Sequence, residues 1–229
     1  MTVFKYALFR NLQNPFSFLA TSVGPIALIF LMTDIWTYIP TIGVSYLAML
    51  MIWSSHLSSV IILEDRIDGS IIRIAVSPVS TLSYITQNLF AIIIPSFMQV
   101  AILAIVGLFR YNWSAELTIG IFISLILFSI ANTAFAFCWS MVFKKKENSK
   151  WAFLVVTILI AFFGGLMMPT EILPDFMQSI GAIVHPYWLM RAVNGLVQYG
   201  ITLNFWLFNL VTVLFAIAYL LLGGRRKGV

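Results

Sequence analysis

Long apolar stretches alternate with short polar segments along the whole chain. Each stretch is about long enough to cross the hydrocarbon core of a membrane as a helix, which takes roughly 20 residues. No segment between them is long enough for a soluble domain. The pattern therefore predicts an all-α polytopic membrane protein that forms a single transmembrane domain over residues 1–229. The six predicted spans are residues 16–33, 42–63, 84–109, 117–143, 151–168 and 203–222.

Composition agrees with this prediction. Hydrophobic residues make up 61% of the chain and charged residues 9%, with a mean hydropathy of +1.00. These values lie far outside the range of soluble globular domains. The chain has one cysteine, Cys138, inside the fourth predicted span, so no disulfide can form within the chain.

Lys and Arg are distributed unevenly over the predicted loops. Short loops rich in these residues stay on the cytoplasmic side of a membrane. With six spans, only Arg110 and Arg191 fall on the opposite side, so we predict that both termini and the loops at 64–82 and 144–150 are cytoplasmic. Because the basic residues are spread over four segments, we do not expect nucleic-acid binding. Those on the predicted cytoplasmic side are Lys5, Arg10, Arg66, Arg73, Lys144, Lys145, Lys146, Lys150, Arg225, Arg226 and Lys227.

Residues 1–15 have apolar positions at helical spacing beside Lys5 and Arg10. This pattern is typical of an amphipathic helix that lies in the membrane interface. We therefore predict an interfacial lead, with a frayed tail as the alternative.

The second predicted span carries an unusual number of small polar side chains, among them Ser55, His56 and Ser59. Polar groups at this depth are costly unless they face other helices or a cavity. These residues are candidates for lining a transport path, together with Gly164, Gly165 and Met168 at the end of the fifth predicted span. The alternative is that the hydroxyl groups bond within their own helix or hold it against a neighbouring helix.

The tract at 169–190 contains several prolines, yet it is too apolar for a solvated loop. Non-helical backbone at membrane depth must be satisfied by protein or by a water-filled cavity. We predict an external pair of short helices that dips into the outer leaflet. Arg191 is expected to pair with Glu171 or Asp175, or to contact lipid phosphate. The candidate residues of this outer gate are Pro169, Glu171, Pro174, Pro186 and Arg191.

Between the second and third predicted spans, residues 64–73 carry five charged side chains. Charges at this density are solvated or docked against another protein. The chain has no phosphate-binding glycine loop and no H-E-x-x-H pair. If the protein transports actively, the energy is therefore expected to come from another subunit.

Two blocks of sequence resemble the permeases of ABC-2 type transporters. The first is Leu63-Glu64-Asp65-Arg66-Ile67-Asp68-Gly69-Ser70, followed by Ser77-Pro78-Val79-Ser80, which is similar to the cytoplasmic loop of that family. The second begins with Gly164-Gly165-Leu166, continues through Leu173-Pro174, and ends with His185-Pro186-Tyr187. It is similar to the family's segment between spans five and six.

The resemblance implies six helices per subunit and two permease subunits, identical or paralogous, in the plasma membrane of a bacterial cell. It also implies two copies of a separate ATP-binding subunit on the cytoplasmic face. ATP and magnesium would then be bound by that partner, and this chain would bind no cofactor. Residues 64–82 would form the coupling element that seats in the ATPase. Its contact residues would be Glu64, Asp65, Arg66, Asp68, Gly69 and Ser70.

The resemblance further implies export, and the short lead favours the smaller exporters of drugs, antimicrobial peptides or lipid-like compounds. An aromatic-rich interior with few cations favours an amphiphilic or hydrophobic cargo. The alternative function is a non-transporting membrane anchor, such as an immunity or sensor protein. A membrane-embedded enzyme is disfavoured, since His56 and His185 have no acid or nucleophile cluster beside them in the sequence.

Overall fold

The computed structural model describes residues 2–13, 18–69 and 81–225, and every regular element in these ranges is helical. A π-helical turn, Leu19–Val23, precedes α2, and a 3₁₀ turn, Thr170–Ile172, precedes α8. The helices are α1 (Thr2–Gln13), α2 (Gly24–Leu31), α3 (Thr33–Tyr38), α4 (Pro40–Ile67), α5 (Thr81–Phe109), α6 (Ala115–Val142), α7 (Lys146–Phe163), α8 (Asp175–Gly181), α9 (His185–Tyr199) and α10 (Leu203–Arg225).

Four segments of the described chain are long and apolar enough to cross a membrane. They are Pro40–Ile67, Ser83–Phe109, Ala115–Val142 and Leu203–Gly224, and they correspond to the second, third, fourth and sixth predicted spans. The described regular elements are therefore all helical, as predicted, and four of the six predicted spans correspond to helices that could cross a membrane, whereas the first and fifth are not among them.

The first predicted span, residues 16–33, contains a π-helical turn and a short α-helix in its described part. In its described part the π-helical turn leads into α2, which has only 8 residues and ends at Met32. Met32 leaves the helical conformation with φ −96° and ψ 50°. The apolar helix here, Thr21–Leu31, is shorter than the roughly 20 residues that a straight crossing needs.

The fifth predicted span, residues 151–168, is shifted along the chain. Its helix α7 begins at Lys146 and therefore includes polar residues in its first turns. It ends at Phe163, where the N–H of Gly164 donates to the carbonyl of Ile160. Since Gly165 has φ +79°, the chain turns away at this point and does not continue as a helix.

Helix α6 lies at the centre of the bundle and packs against α4, α5, α9 and α10. Its buried side chains Leu125 and Phe128 belong to the largest core cluster, with Met51 of α4 and Val193 of α9. Between helices in a membrane such close packing is itself the main source of association, because lipid tails are as apolar as the side chains.

One end of the bundle is closed by a cluster of aromatic residues, which we call the aromatic end. Trp36 after α2 and Trp113 before α6 have ring centroids 6.0 Å apart, and Tyr111 lies 6.1 Å from Trp113. The Trp113 indole donates to the Trp36 carbonyl at 2.9 Å, and the Tyr111 hydroxyl donates to the carbonyl of Ile29. Burial raises the pKa of the Tyr111 phenol, an effect that nearby Arg110 opposes, so the hydroxyl keeps the proton that it donates.

Two glycines accommodate these indole rings. A Cβ atom at Gly43 of α4 would lie 2.5 Å from the Trp36 ring, and one at Gly107 of α5 would lie 2.4 Å from the Trp113 ring. Each ring therefore rests directly on the backbone of a long helix. The aromatic end connects α3, α4, α5 and the start of α6 in this way.

The opposite end, where α4 and α6 end and α5 and α7 begin, we call the basic end. It includes the described Lys residues at 144–146 and 150, all of them exposed. The predicted lead forms the helix α1 here, and α1 packs along the first turns of α5. The backbone N–H of Phe4 donates to the Gln87 side chain at 3.1 Å. Residues 14 and 15 of the predicted lead lie outside the described residues.

Helix α9 begins inside the bundle. His185, in its first turn, is fully buried, and its ring lies 5.3 Å from that of Phe128 in the middle of α6. The far end of α9 approaches the start of α6, where the N–H of Ile201 donates to the Glu116 carboxylate at 2.6 Å. The chain after α7 thus re-enters the bundle and returns to the aromatic end. The second helix of the predicted pair at 169–190 is α9, which continues nine residues past residue 190.

Candidate functional site

The last turn of α4 carries three consecutive charged residues, Glu64, Asp65 and Arg66, which we call the charged turn. The Asp65 carboxylate accepts two hydrogen bonds from the Arg10 guanidinium of α1, both at 3.0 Å. Its second oxygen accepts a hydrogen bond from the Tyr84 hydroxyl in the first turn of α5. One carboxylate therefore joins three helices.

The other two members of the charged turn contact further elements. The Glu64 carboxylate forms an ion pair with Lys146 in the first turn of α7. The Arg66 guanidinium donates to the carbonyl of Met141, in the last turn of α6, at 2.5 Å. The charged turn consequently contacts α1, α5, α6 and α7 at the basic end.

Directly after the charged turn, α4 ends and the chain changes direction. The N–H of Asp68 still donates to the Glu64 carbonyl at 2.9 Å, which is the last helical hydrogen bond. Gly69 has φ +70°, a left-handed conformation that favours glycine. A Cβ atom at Gly69 would have no atom within 4 Å. Ser70 and the rest of the predicted coupling element up to residue 80 lie outside the described residues.

A cavity of about 630 Å³ lies between α1, α4 and α5 at the basic end. The Arg10, Asp65 and Tyr84 side chains lie at its polar part, and Ala7 and Ile61 are among its apolar walls. The charged turn is therefore accessible from this cavity.

The polar candidates of the second span lie in the interior of the bundle. Ser55, His56 and Ser59 are each 1% exposed. Asn132 of α6 donates to the Ser55 hydroxyl at 2.9 Å, and the Ser59 hydroxyl donates to the His56 carbonyl at 2.9 Å. The first hydrogen bond joins two helices, and the second lies within one helix. Both fit the alternative that these polar groups bond within their own helix or hold it against a neighbouring helix.

His56 has an unusual environment. Its imidazole stacks on the Phe153 ring of α7, with centroids 3.8 Å apart and planes within 7°. Among the described residues neither ring nitrogen has a hydrogen-bond partner. Such unpaired buried groups are uncommon and costly in low dielectric surroundings.

The other path candidates follow α7. Gly164 and Gly165 are buried, whereas Met168 is 40% exposed. Gly165 and Met168 line a small cavity of about 150 Å³ with the first turns of α4 and with α9. The structure thus places Gly165 and Met168 near Ser45 of α4, about three helical turns from Ser55. The two sets of path candidates therefore do not meet.

The predicted outer-gate prolines all begin an element. Pro169 precedes the 3₁₀ turn, Pro174 precedes α8, and Pro186 is in the first turn of α9. Proline suits these positions because its fixed φ is helical and its missing N–H is not needed there. Pro186 packs against the turn after α7, where a Cβ at Gly164 would lie 2.9 Å from its ring.

Arg191, the cationic candidate of the gate, lies over aromatic rings. Its guanidinium carbon is 5.7 Å from the Tyr187 ring centre and 5.5 Å from that of Phe208. Such cation–π contacts hold a guanidinium at a partly buried site. Asp175 is exposed at the start of α8. The Glu171 side chain lies outside the described residues.

The family-model comparison identifies the chain. Residues 32–225 match the model described as ABC-2 family transporter protein. The chain belongs to this family of ABC-2 transporters. A search of the curated proteins gave no match. The match covers every helix from α3 to α10, and it begins at Met32, one residue before the end of the first predicted span.

Membership confirms the predicted resemblance and makes this ABC-2 protein an integral membrane component of a transporter. Permeases of this family generally work with an ATP-binding subunit. In the part of the chain that the structure describes, no group of three His, Cys, Asp or Glu side chains could hold a metal ion.

Several partners of the candidate residues were not foreseen for this ABC-2 permease. From the sequence, Arg10 was assigned to membrane topology and the interfacial lead and Lys146 to topology, and neither Tyr84 nor Met141 was given a contact with the charged turn. Arg10 lies 55 positions from Asp65, and Lys146 lies 82 positions from Glu64. The only signal in the sequence is charge complementarity within one predicted face of the membrane, which does not specify the pairs.

Proposed function

We propose that this ABC-2 permease is the membrane subunit of an ATP-driven exporter. Two permease subunits, identical or paralogous, form the membrane part, and two separate ATP-binding subunits dock at the basic end. The observation that carries the proposal is the family match over residues 32–225. The charged turn supports it, because it leads directly into the segment that resembles the family's coupling loop.

In this proposal the ATPase docks on residues 64–82, through Glu64, Asp65, Arg66, Asp68, Gly69 and Ser70. The charged turn contacts α1, α5, α6 and α7, so a displacement at Gly69 would reach four other helices at once. Packed helices respond to such a displacement by rigid-body shifts and do not deform continuously. A short push from the ATPase would thereby reach the whole basic end.

The basic end faces the cytoplasm in this arrangement. Described Lys and Arg residues cluster there, on α1, on the charged turn and around the start of α7. Arg110 and Arg191 lie toward the aromatic end, which would face outward. The positive-inside rule supports this orientation, since the two ends differ strongly in their number of basic residues.

The cargo is an amphiphilic or hydrophobic compound, such as a drug, an antimicrobial peptide or a lipid-like molecule. Ser55, His56 and Ser59 are buried within one copy, so the path runs between two copies and reaches these residues only when α4 moves relative to α6 and α7. Gly164, Gly165 and Met168 contribute to its outer part. Pro169, Glu171, Pro174, Pro186 and Arg191 belong to the outer gate.

Affinity purification from native membranes in mild detergent tests the partner. We expect a soluble ATP-binding subunit to copurify in stoichiometric amount, with vanadate-sensitive ATP hydrolysis. Recovery of the chain alone, without hydrolysis, would instead support the non-transporting anchor.

Substitution of Gly69 tests the docking element. Gly69→Val should abolish most cargo-stimulated ATP hydrolysis, because a β-branched residue is strained at φ +70° although its side chain has room. Gly69→Asn is the matched variant, since asparagine tolerates this conformation, and should keep most of the activity. Gly224→Val controls for a bulkier residue at another open position near the basic end. Equal activity of Gly69→Val and Gly69→Asn would contradict the role of this turn.

A further inference from the structure

The cavity between α1, α4 and α5 has the size of a ligand site. Its volume of about 630 Å³ is in the usual range for small-molecule pockets, roughly 300–1,000 Å³. It lies where an interfacial helix meets two long apolar helices, at the level of the charged turn. A molecule in this cavity would therefore lie at the membrane surface.

The walls of the cavity are of two kinds. Val3 and Ala7 of α1 and Ile61 of α4 give apolar walls, and the exposed ring of Phe9 is at its border. Among the polar residues of its lining, Arg10 and Tyr84 are hydrogen-bonded to Asp65, and Tyr6, Gln13 and Asn88 line the cavity as well. An apolar pocket with a few convergent polar groups is the common form of a binding site for an amphiphile.

The polar groups carry two opposite charges side by side. The Arg10 side chain is 47% exposed and the Asp65 side chain 17%, and they are joined at 3.0 Å. A ligand with a single negative charge would be attracted by Arg10 and repelled by Asp65. A zwitterionic group places an anion at the guanidinium and a cation toward the carboxylate, so it complements both charges.

We infer that this cavity binds the head group of a zwitterionic phospholipid from the surrounding leaflet. The phosphodiester lies at the Arg10 guanidinium, the ammonium group lies toward Asp65, and the acyl chains leave along Val3 and Phe9. The membrane supplies the ligand, since an amphipathic helix such as α1 rests among the head groups.

Occupation of the cavity has a consequence for transport, which rests on the proposed function. The lipid contacts Arg10 and Asp65, the ion pair that joins α1 to the charged turn, so binding there would alter how firmly α1 holds the end of α4. Lipid composition would then modulate coupling to the ATPase.

Photocrosslinking of the purified full chain tests the inference. The chain is reconstituted in nanodiscs that contain a photoactivatable phosphatidylethanolamine, and adducts are mapped by mass spectrometry after digestion. We expect adducts concentrated on α1 and on the first turns of α5. Arg10→Gln should reduce this labelling about tenfold, since a charge-assisted hydrogen bond contributes at least that factor. Ala7→Phe, which fills the cavity, should reduce it similarly.

Lys5→Gln is the matched control, because Lys5 is an exposed cation on α1 that does not line the cavity. It should keep the labelling of the original chain. Val3→Trp provides a second filling variant should Ala7→Phe fail to fold, as judged by gel filtration and circular dichroism. A photoactivatable phosphatidylglycerol, which lacks the ammonium group, should label the cavity several-fold less.

Adducts spread evenly over the lipid-facing helices, or unchanged in both filling variants, would overturn the inference. Equal labelling by phosphatidylglycerol would contradict the assignment of a zwitterionic ligand to this cavity. The measurement uses neither an ATPase nor transport, so failure here leaves the proposed exporter intact. Equally, a positive result stands even if no ATP-binding subunit is found.

Discussion

The two ends of the bundle are held together by different kinds of contact. At the aromatic end, buried indole rings rest on glycine backbone, and their N–H groups donate to main-chain carbonyls. At the basic end, partly exposed ion pairs connect the last turn of α4 to α1 and α7. Ring packing is short-ranged and unaffected by salt, whereas exposed ion pairs contribute little and are screened by salt.

This difference indicates which end can move. A closely packed aromatic cluster loses its contacts with any small displacement, so it acts as a fixed point. The ion pairs of the charged turn can break and re-form at low cost. A bundle that is fixed at one end and adjustable at the other suits a protein that receives a push at its basic end. The contrast can be tested from the largest expected effect to the smallest.

Removal of the Trp36 ring should give the largest loss of stability. Trp36 is fully buried, and Trp36→Ala should lower the free energy of unfolding by about 3–5 kcal/mol. Denaturant titration of the chain in detergent micelles measures this loss. Trp206→Ala is the matched control, because that ring is 50% exposed on α10, and it should cost less than about 1 kcal/mol. Similar losses for both variants would mean that the aromatic end is not an anchor.

A single methyl group at Gly107 should also be destabilising. The new Cβ would lie 2.4 Å from the Trp113 ring, so the ring or helix α5 must shift. We expect Gly107→Ala to cost about 1–3 kcal/mol, the usual range for overpacking. Gly195→Ala is the control, since a Cβ there meets no atom within 4 Å. It should be neutral or stabilising by up to about 1 kcal/mol, from helix propensity alone. The difference between the two unfolding midpoints is the measurement.

At the basic end, the Arg10–Asp65 pair should contribute much less. A double-mutant cycle with Arg10→Gln and Asp65→Asn should give a coupling free energy of about 0.5–1 kcal/mol, because nearly half of the Arg10 side chain is exposed. The coupling should decrease when the salt concentration is raised. A coupling energy as large as the loss in Trp36→Ala would remove the contrast between the ends.

The Glu64–Lys146 pair should have the smallest effect. Both side chains are more than one third exposed, and the pair is expected to contribute less than about 0.5 kcal/mol. The Glu64→Gln and Lys146→Gln variants, compared at low and high salt, should converge on the stability of the original chain at high salt. Any effect of Glu64→Gln on ATPase docking should therefore appear without loss of folding. A variant that both unfolds and loses docking would show that the pair is mainly structural.

The long spans were predictable because hydropathy is read from a continuous window of sequence. The predicted spans 42–63 and 203–222 correspond closely to α4 and α10. The first predicted span, residues 16–33, ends close to Met32, where the chain leaves the helix, but an apolar window does not reveal the π-helical turn at Leu19–Val23. For the fifth span, the two glycines at 164 and 165 were noted, but their role as the helix end was not.

The candidate site was predictable only in part. The sequence indicated residues 64–69 as a candidate site through their charges and their resemblance to the cytoplasmic loop of the family. That Asp65 binds Arg10 and Tyr84 depends on three helices that meet at one end of the bundle. Likewise, the sequence indicated polar groups at Ser55 and His56 without indicating that α6 and α7 cover them.

The sequence by itself determined that the chain enters a membrane, where its long apolar helices lie and to which family it belongs. These properties depend on local hydropathy and on motifs a few residues long. Only the tertiary structure decided which charges pair, which rings form the aromatic end and where a cavity remains. Those contacts join residues up to 82 positions apart, and which of many compatible partners meet depends on how the helices pack.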